Sequence, residues 1–247
     1  VPEIFIYSSN IGSARMAMAV GAKRQRAFMG RFGLLSRPSI QLAEVGSPLT
    51  PSKWRDINTM TIGFGHGIAV SPVQLVGGVA AVVNGGVFFP PSLIVKPKET
   101  SVIGTRVLSA ATSEKMRRLM RLAVQRGTGR RAAAIGYMVG GKTGTAEKIA
   151  ARRYSRKVLL SSFVGAFPIQ APQYVVFAML DEPRGTTRTR GYATGGIVAA
   201  PIVSKIVSRI GPILGIAPID EEADELTRQM SVQVMTMRNG VRQIASE

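Results

Sequence analysis

The chain lacks cysteine altogether and has a single histidine, His66, among its 247 residues. The missing cysteine excludes disulfides and thiolate metal sites. With one imidazole, a site built from several histidines is excluded as well. A Ser-His-Asp triad would have to use His66, and no G-x-S-x-G sequence is there to present its serine. We therefore expect no metal, and we also expect no cofactor.

Acidic residues are scarce, at 14 against 32 lysines and arginines, and the formal net charge is +18. Such a surface attracts anionic partners, although a merely solvated basic face is the simpler alternative. A nucleic-acid-binding module is one hypothesis, but no recognised fold motif supports it and aromatic residues make up only 6%. We expect no nucleic-acid partner and assign the charge to anionic lipid headgroups or an acidic polymer. The arginines that a nucleic-acid module would use are Arg130, Arg131, Arg152, Arg153, Arg156 and Arg188.

Hydrophobic residues make up 45% of the chain, which is enough to form a real core. Helical spacing, cap residues and β-rich runs predict an order of helix, loop, two helices, three strands and a helix. That order lacks the β-α-β alternation of a parallel sheet, so we predict an α+β fold with an antiparallel sheet flanked by helices. The predicted helices are 11–32, 72–84, 113–126 and 195–209, and the predicted strands are 136–146, 161–167 and 174–181.

Several local features accompany these predictions. Ser71 before Pro72 is typical of a helix start, and Ser113 is predicted to cap the next helix. The arginines of that helix are expected to face solvent, and the basic segment 148–157 is expected to be a turn between strands. No apolar run is expected to span a bilayer; the best candidate, 62–89, is interrupted by Pro72.

One lysine can be interpreted in two ways. Gly136, Gly141, Lys142 and Thr143 match the phosphate-binding pattern G-x-x-x-x-G-K-[ST]. That pattern needs a strand before the loop and a helix after it, because the helix N-terminus holds the phosphate. The residues before Gly136 make a poor strand, and Gly144 is a weak helix residue. A P-loop nucleotide-binding enzyme therefore stays open only as an alternative.

The other interpretation is a K-T-G strand, which suits a peptide substrate that ends in a carboxylate. Lys142 supplies positive charge. Thr143 and Thr145 alternate onto one face of a strand, so both hydroxyls can meet the carboxylate. Gly144 has no side chain, so a substrate backbone can approach closely. The pattern is short and needs a second element.

That second element is the S-x-N sequence of Ser8 and Asn10, which lies upstream at the start of a helix. The pattern is common by chance. Ser8 or Ser9 can also serve simply as a helix N-cap, and both roles are compatible.

Six short sequence segments, which we call phrases, follow one another along the chain: YSSNIGSARMA, GFGHGIAVSPVQL, NGGVFFPPSLI, GGKTGTAEK, SSFVGAFP and LDEPRGTTRTRGYATGGIVAAPIV. In these phrases the chain resembles the transpeptidase domain of class B penicillin-binding proteins, and most of all the division-specific D,D-transpeptidases of alphaproteobacteria. The resemblance runs to about Pro218. It implies that residues 1–218 are the C-terminal portion of such a domain and that 219–247 form a polar tail.

The resemblance implies a transpeptidase fold related to serine β-lactamases, and cross-linking of peptidoglycan stem peptides through an acyl-enzyme. By the family's pattern, Ser8 relays a proton to or from the leaving group, and Asn10 holds the acyl amide and orients a catalytic lysine. Lys142 sets the electrostatics of the site. Thr143 and Thr145 bind the terminal carboxylate, and the Thr145 amide completes the oxyanion hole.

The family also needs S-x-x-K, which holds the nucleophile, and no serine of this chain has a lysine three residues later. We expect that serine on residues preceding Val1 or on another chain. This chain alone is then expected to be inactive and poorly stable, because a central helix is missing. The expected partners are stem peptides ending in D-Ala-D-Ala, β-lactams and membrane proteins of the division machinery. The expected place is the periplasmic face of the inner membrane, through an anchor outside this chain.

Overall fold

The computed structural model describes residues 1–95, 97, 102–150, 153–232, 234–238 and 241–245. The chain divides into two compact units, which we call the sheet unit (Val1–Ser8 and Lys115–Glu247) and the helical unit (Ser9–Glu114). The helices are α1 Pro2–Ile6, α2 Asn10–Val20, α3 Ala22–Arg31, α4 Asp56–Gly63, α5 Pro72–Val83, α6 Ala110–Gln125, α7 Gly195–Val198, α8 Ala200–Ile213 and α9 Asp224–Met230. The strands are β1 Val87–Phe88, β2 Thr105–Arg106, β3 Gly140–Ala150, β4 Arg153–Phe167, β5 Tyr174–Asp181, β6 Val234–Arg238 and β7 Val241–Ala245.

Every strand pair that the structure describes is antiparallel, and helices precede and follow the three-stranded sheet β3-β4-β5. The α+β prediction is confirmed. Strand β5 spans the predicted residues, because its apolar run is ended by Asp181 and Pro183. The predicted turn over 148–157 is wrong, since β3 continues to Ala150 and β4 begins at Arg153. A register shift between Glu147 and Lys148 lets the two strands extend as a hairpin arm.

In the helical unit, the single helix predicted over 11–32 is two helices, α2 and α3. They separate at Gly21, whose φ of 83° is incompatible with a continuous right-handed helix. The start of α5 is confirmed: the Ser71 hydroxyl accepts a hydrogen bond from the Gln74 amide at 3.3 Å. Gln74 Oε1 in turn accepts a hydrogen bond from the Ser71 amide at 3.0 Å, which completes a capping box.

The prediction that Ser113 caps a helix is wrong. Helix α6 begins three residues earlier, at Ala110, and Ser113 is fully buried. Its hydroxyl donates to the Val82 carbonyl at 2.6 Å and accepts from the Gly85 amide at 3.0 Å. Ser113 therefore satisfies the backbone at the end of α5, which a cap pattern read along the sequence cannot reveal.

The core of the sheet unit lies between the sheet and α8. Phe163 and Phe167 of β4 pack with Val203 and Val207 of α8, and all four are fully buried. The stretch Gly195–Ile213 has 19 residues and a mean hydropathy of 1.4, so by length and composition it could cross a membrane, contrary to expectation. Because one face of α8 forms this core, the helix packs as a core helix of the sheet unit.

The expectation that the arginines of α6 face solvent is wrong for Arg121, which is only 6% exposed. Its guanidinium donates to Glu221 Oε2 at 2.7 Å and to the Val139 carbonyl at 3.2 Å. Arg117 likewise donates to the Gln170 carbonyl at 2.7 Å. The acidic sequence after Pro218 therefore supplies the partner of a buried cation in the sheet unit. The domain boundary at residue 218 stays a prediction.

Candidate active site

Ser8 is the last residue of Val1–Ser8, which is the first segment of the sheet unit. Helix α1 ends at Ile6, and Ser8 has a φ of 54°, in the left-handed region that non-glycine residues seldom adopt. Its side chain is exposed. Lys142 Nζ of β3 donates a hydrogen bond to Ser8 Oγ at 2.7 Å. The fold thus brings the serine of the predicted S-x-N motif into hydrogen-bond contact with the lysine of the predicted K-T-G motif.

Lys142 is half-buried, and burial lowers the pKa of its ammonium from 10.5 to about 8. Its Nζ also donates to the Thr143 carbonyl at 3.2 Å and lies 3.4 Å from Thr143 Oγ1. The ring of Phe5 lies 6.0 Å from the same nitrogen. At neutral pH the amine is mostly charged, but it can release its proton far more readily than an exposed lysine. Together, Lys142 and Ser8 form a pair that can pass a proton.

Strand β3 carries the remaining predicted residues. Among the described strands, β3 pairs only with β4, so its other edge is open to an added strand. The Thr145 hydroxyl accepts a hydrogen bond from the Gly195 amide at 3.0 Å. Packing against β4 also favours glycine at position 144, because a Cβ on Gly144 would lie 2.6 Å from Ser162 Oγ.

Asn10 is the first residue of α2 and belongs to the helical unit, whereas Ser8 belongs to the sheet unit. Ser9 between them caps α2, its hydroxyl accepting from the Gly12 amide at 3.2 Å. The N-cap role therefore falls to Ser9, which leaves Ser8 for Lys142. The role of Asn10 stays a prediction.

The structure contradicts the phosphate-loop alternative. The phosphate would need a helix beginning just after Lys142, yet that lysine and Thr143 lie inside β3, which continues to Ala150. The apparent match arises because glycines happen to precede the K-T-G strand.

Two groups that contact the threonines of β3 were not predicted from the sequence. Thr128 Oγ1 lies 2.8 Å from Thr143 Oγ1, and the Gly195 amide at the start of α7 binds Thr145. Gly195 lies within the last of the six phrases, but that phrase assigns it no role, and Thr128 lies in none of them. The only sequence signal for Thr128 is that it lies between two glycines, Gly127 and Gly129, just after a helix.

Residues 1–208 match the family described as the penicillin binding protein transpeptidase domain. The probable peptidoglycan D,D-transpeptidase FtsI of Caulobacter vibrioides is 40% identical over 223 residues, which are 87% of this chain and 38% of that protein. Stage V sporulation protein D of Bacillus subtilis is 33% identical over 228 residues, or 87% of this chain and 34% of that protein. The chain therefore spans little more than a third of the length of these curated relatives.

Solved structures show the same likeness. The apo transpeptidase domain of Burkholderia pseudomallei penicillin-binding protein 3 superposes with a TM-score of 0.81 at 32% identity, covering 89% of this chain and 66% of that one. Penicillin-binding protein 3 of Mycobacterium tuberculosis, solved in complex with ampicillin, gives a TM-score of 0.81 at 27% identity, over 92% of this chain and 53% of that one. These similarities support neither the nucleotide-binding nor the nucleic-acid-binding alternative.

Proposed function

Because this chain belongs to the transpeptidase domain family of class B penicillin-binding proteins, we propose that it carries the proton-relay and carboxylate-binding parts of a peptidoglycan D,D-transpeptidase. The observation that carries the proposal is the 2.7 Å hydrogen bond between Lys142 Nζ and Ser8 Oγ. It joins two short motifs that are each weak in the sequence, and it does so beside the open edge of β3.

The proposed reaction begins with a serine of an S-x-x-K motif, which none of these 247 residues provides. Its oxygen attacks the carbonyl carbon between the two terminal D-alanines, and an ester forms as the peptide C–N bond breaks. The serine proton has to reach the departing amine of the last D-alanine. An amine of a neighbouring stem peptide then attacks the ester, forms the cross-link and returns a proton to the serine.

We propose that Ser8 and Lys142 carry the proton to the leaving amine. The Ser8 hydroxyl can donate its proton to that amine and recover one from Lys142, whose pKa is lowered to about 8 by burial. Asn10 is proposed to hold the acyl amide, and the Thr145 amide to stabilise the oxyanion. These two roles rest on the family's pattern.

Thr143, Gly144 and Thr145 are proposed to bind the end of the donor peptide. The peptide would lie along the open edge of β3, with its carboxylate facing the two threonine hydroxyls and the Lys142 ammonium. A β-lactam would occupy the same place, as the ampicillin complex of the Mycobacterium tuberculosis relative supports. We also propose that this chain acts at the periplasmic face of the inner membrane, as part of a membrane-anchored protein that contacts division proteins.

The test is labelling with a fluorescent penicillin, followed by denaturing mass spectrometry. The chain is incubated alone and with a separately produced transpeptidase segment that carries S-x-x-K. We expect no adduct on the chain alone, and an adduct on the added serine only when the chain is present. Lys142→Met is the matched control and should slow that labelling by at least tenfold. An adduct on a serine of this chain, or equal labelling with Lys142→Met, would contradict the proposal.

A further inference from the structure

Thr128 occupies an unusual place in the sheet unit. It follows α6 in the sequence Gly127-Thr128-Gly129, and its side chain is exposed while both glycines are buried. A Cβ on Gly127 would lie 2.6 Å from the Ile6 carbonyl oxygen, and one on Gly129 would lie 3.0 Å from the Phe163 ring. The backbone is thus packed too closely for side chains on either side, and it presents one hydroxyl at the surface.

Thr128 contacts two segments that carry predicted site residues, and also the start of α7. Its amide donates to the Ile6 carbonyl at 3.2 Å, two residues before Ser8. Its hydroxyl lies 2.8 Å from Thr143 Oγ1 on β3. Its carbonyl lies against the start of α7, where a Cβ on Gly196 would approach it to 2.3 Å.

The hydrogen-bond partners of Thr143 and Thr145 determine whether each hydroxyl can still donate to a ligand. Thr145 Oγ1 accepts from the Gly195 amide, which leaves its own O–H free to donate. Thr143 Oγ1 lies within reach of Lys142 Nζ, which can only donate while charged. If the Thr128 hydroxyl also donates to Thr143, the O–H of Thr143 is likewise free to donate. Both threonines then present donors, which a carboxylate needs and a carboxamide NH₂ does not.

We propose that Thr128 is a positioning residue of the carboxylate site: its hydroxyl fixes the rotamer and the proton direction of Thr143, so that Thr143 donates to the substrate carboxylate. The inference rests on the proposed function for the identity of the ligand. The fixed orientation of Thr143 does not depend on it.

The first experiment examines the orientation in the 247-residue chain without ligand. Three-bond couplings to the Thr143 γ-methyl group report its χ1 rotamer by NMR. We expect a single rotamer in the unmodified chain and in Thr128→Ser, which retains the hydroxyl. Thr128→Val has the same shape without the hydroxyl, and we expect averaged couplings. A single, unchanged rotamer in Thr128→Val would overturn the proposal.

The second experiment titrates the same three proteins with N-acetyl-D-alanyl-D-alanine and with its C-terminal amide. We expect Thr128→Val to weaken binding of the carboxylate about five- to tenfold, as the loss of one aligned hydrogen bond predicts. Binding of the amide should change little, and Thr128→Ser should restore carboxylate binding. Equal carboxylate affinity in Thr128→Val would overturn the proposal.

The two failures can be told apart. If the unmodified chain holds Thr143 in one rotamer but does not prefer the carboxylate to the amide, the proposed function fails and the positioning role stands. If the carboxylate is preferred but Thr128→Val retains both the rotamer and the preference, only the positioning role fails.

Discussion

Lys142 and Ser8 are joined by a 2.7 Å hydrogen bond although 134 positions separate them in the chain. Both lie in the sheet unit, so the pair forms only when the first eight residues pack with the segment that follows α6. Lys142 is also partly buried, and this burial lowers the pKa of its ammonium.

That burial predicts a dependence of stability on pH. The folded Lys142 has a pKa of about 8 against 10.5 for the ordinary side chain, so between these values the unfolded chain holds more protons. The free energy of unfolding should therefore rise with pH through this window, by about 3 kcal/mol relative to Lys142→Met. Urea unfolding of both proteins at several pH values checks this, because other titrating groups cancel in the difference. Parallel stability curves would count against it.

The backbone at Ser8 gives a second prediction. Its φ of 54° is costly for any residue with a Cβ. Ser8→Gly and Ser8→Ala both lose the hydrogen bond to Lys142, but only alanine retains the strain. We expect the glycine variant to be more stable than the alanine variant by about 1 kcal/mol in urea unfolding. Equal midpoints would mean that the strain is absent.

Ser113 is expected to be important for stability in spite of its small size. Ser113→Ala removes a fully buried hydroxyl and leaves the Val82 carbonyl and the Gly85 amide without that partner. The expected loss is about 1–3 kcal/mol. Ser208→Ala, at an exposed serine of α8, is the control and should stay within about 0.5 kcal/mol. Comparable losses in the two variants would contradict the assignment.

The ion pair between Arg121 and Glu221 tests whether the segment after Pro218 belongs to the folded structure. Arg121→Met leaves Glu221 half-buried and without its cation, and should cost about 3 kcal/mol. The double variant Arg121→Met/Glu221→Gln should recover part of that loss, since no charge is then left unpaired. Thermal unfolding of the single and double variants measures both. A negligible effect of Arg121→Met would indicate that the segment is a loose tail.

Periodicity and cap chemistry were sufficient where the determining contacts were local. Strand β5 and the start of α5 follow from a β-rich apolar run and from Ser71 before Pro72, and both were predicted. The break at Gly21 is local too, but glycine within a helical pattern is often tolerated, so the sequence favoured one long helix. Ser113 and Arg121 were misplaced because their partners lie far away along the chain.

The residues of the site also divide into those that a local pattern predicts and those that it does not. Lys142, Thr143 and Thr145 lie within four consecutive positions of one strand, so a short motif describes them. Thr128 is exposed, lies in a loop and acts across 15 positions on Thr143, which no periodic pattern records. The glycines on either side of it are explained only when the Ile6 carbonyl and the Phe163 ring are seen beside them.

The segment that follows α9 packs near the first helix of the sheet unit. Val232 and Val234 pack against the buried cluster of Ile6, Leu122 and Ala123, so residues beyond the last recognisable family phrase support the helix that precedes Ser8. In genetic terms, a premature stop codon near position 219 is therefore expected to remove residues that the folded sheet unit needs. Such an allele would be grouped with missense changes at the S-x-N serine, since one removes the support of that hydroxyl and the other removes the hydroxyl itself.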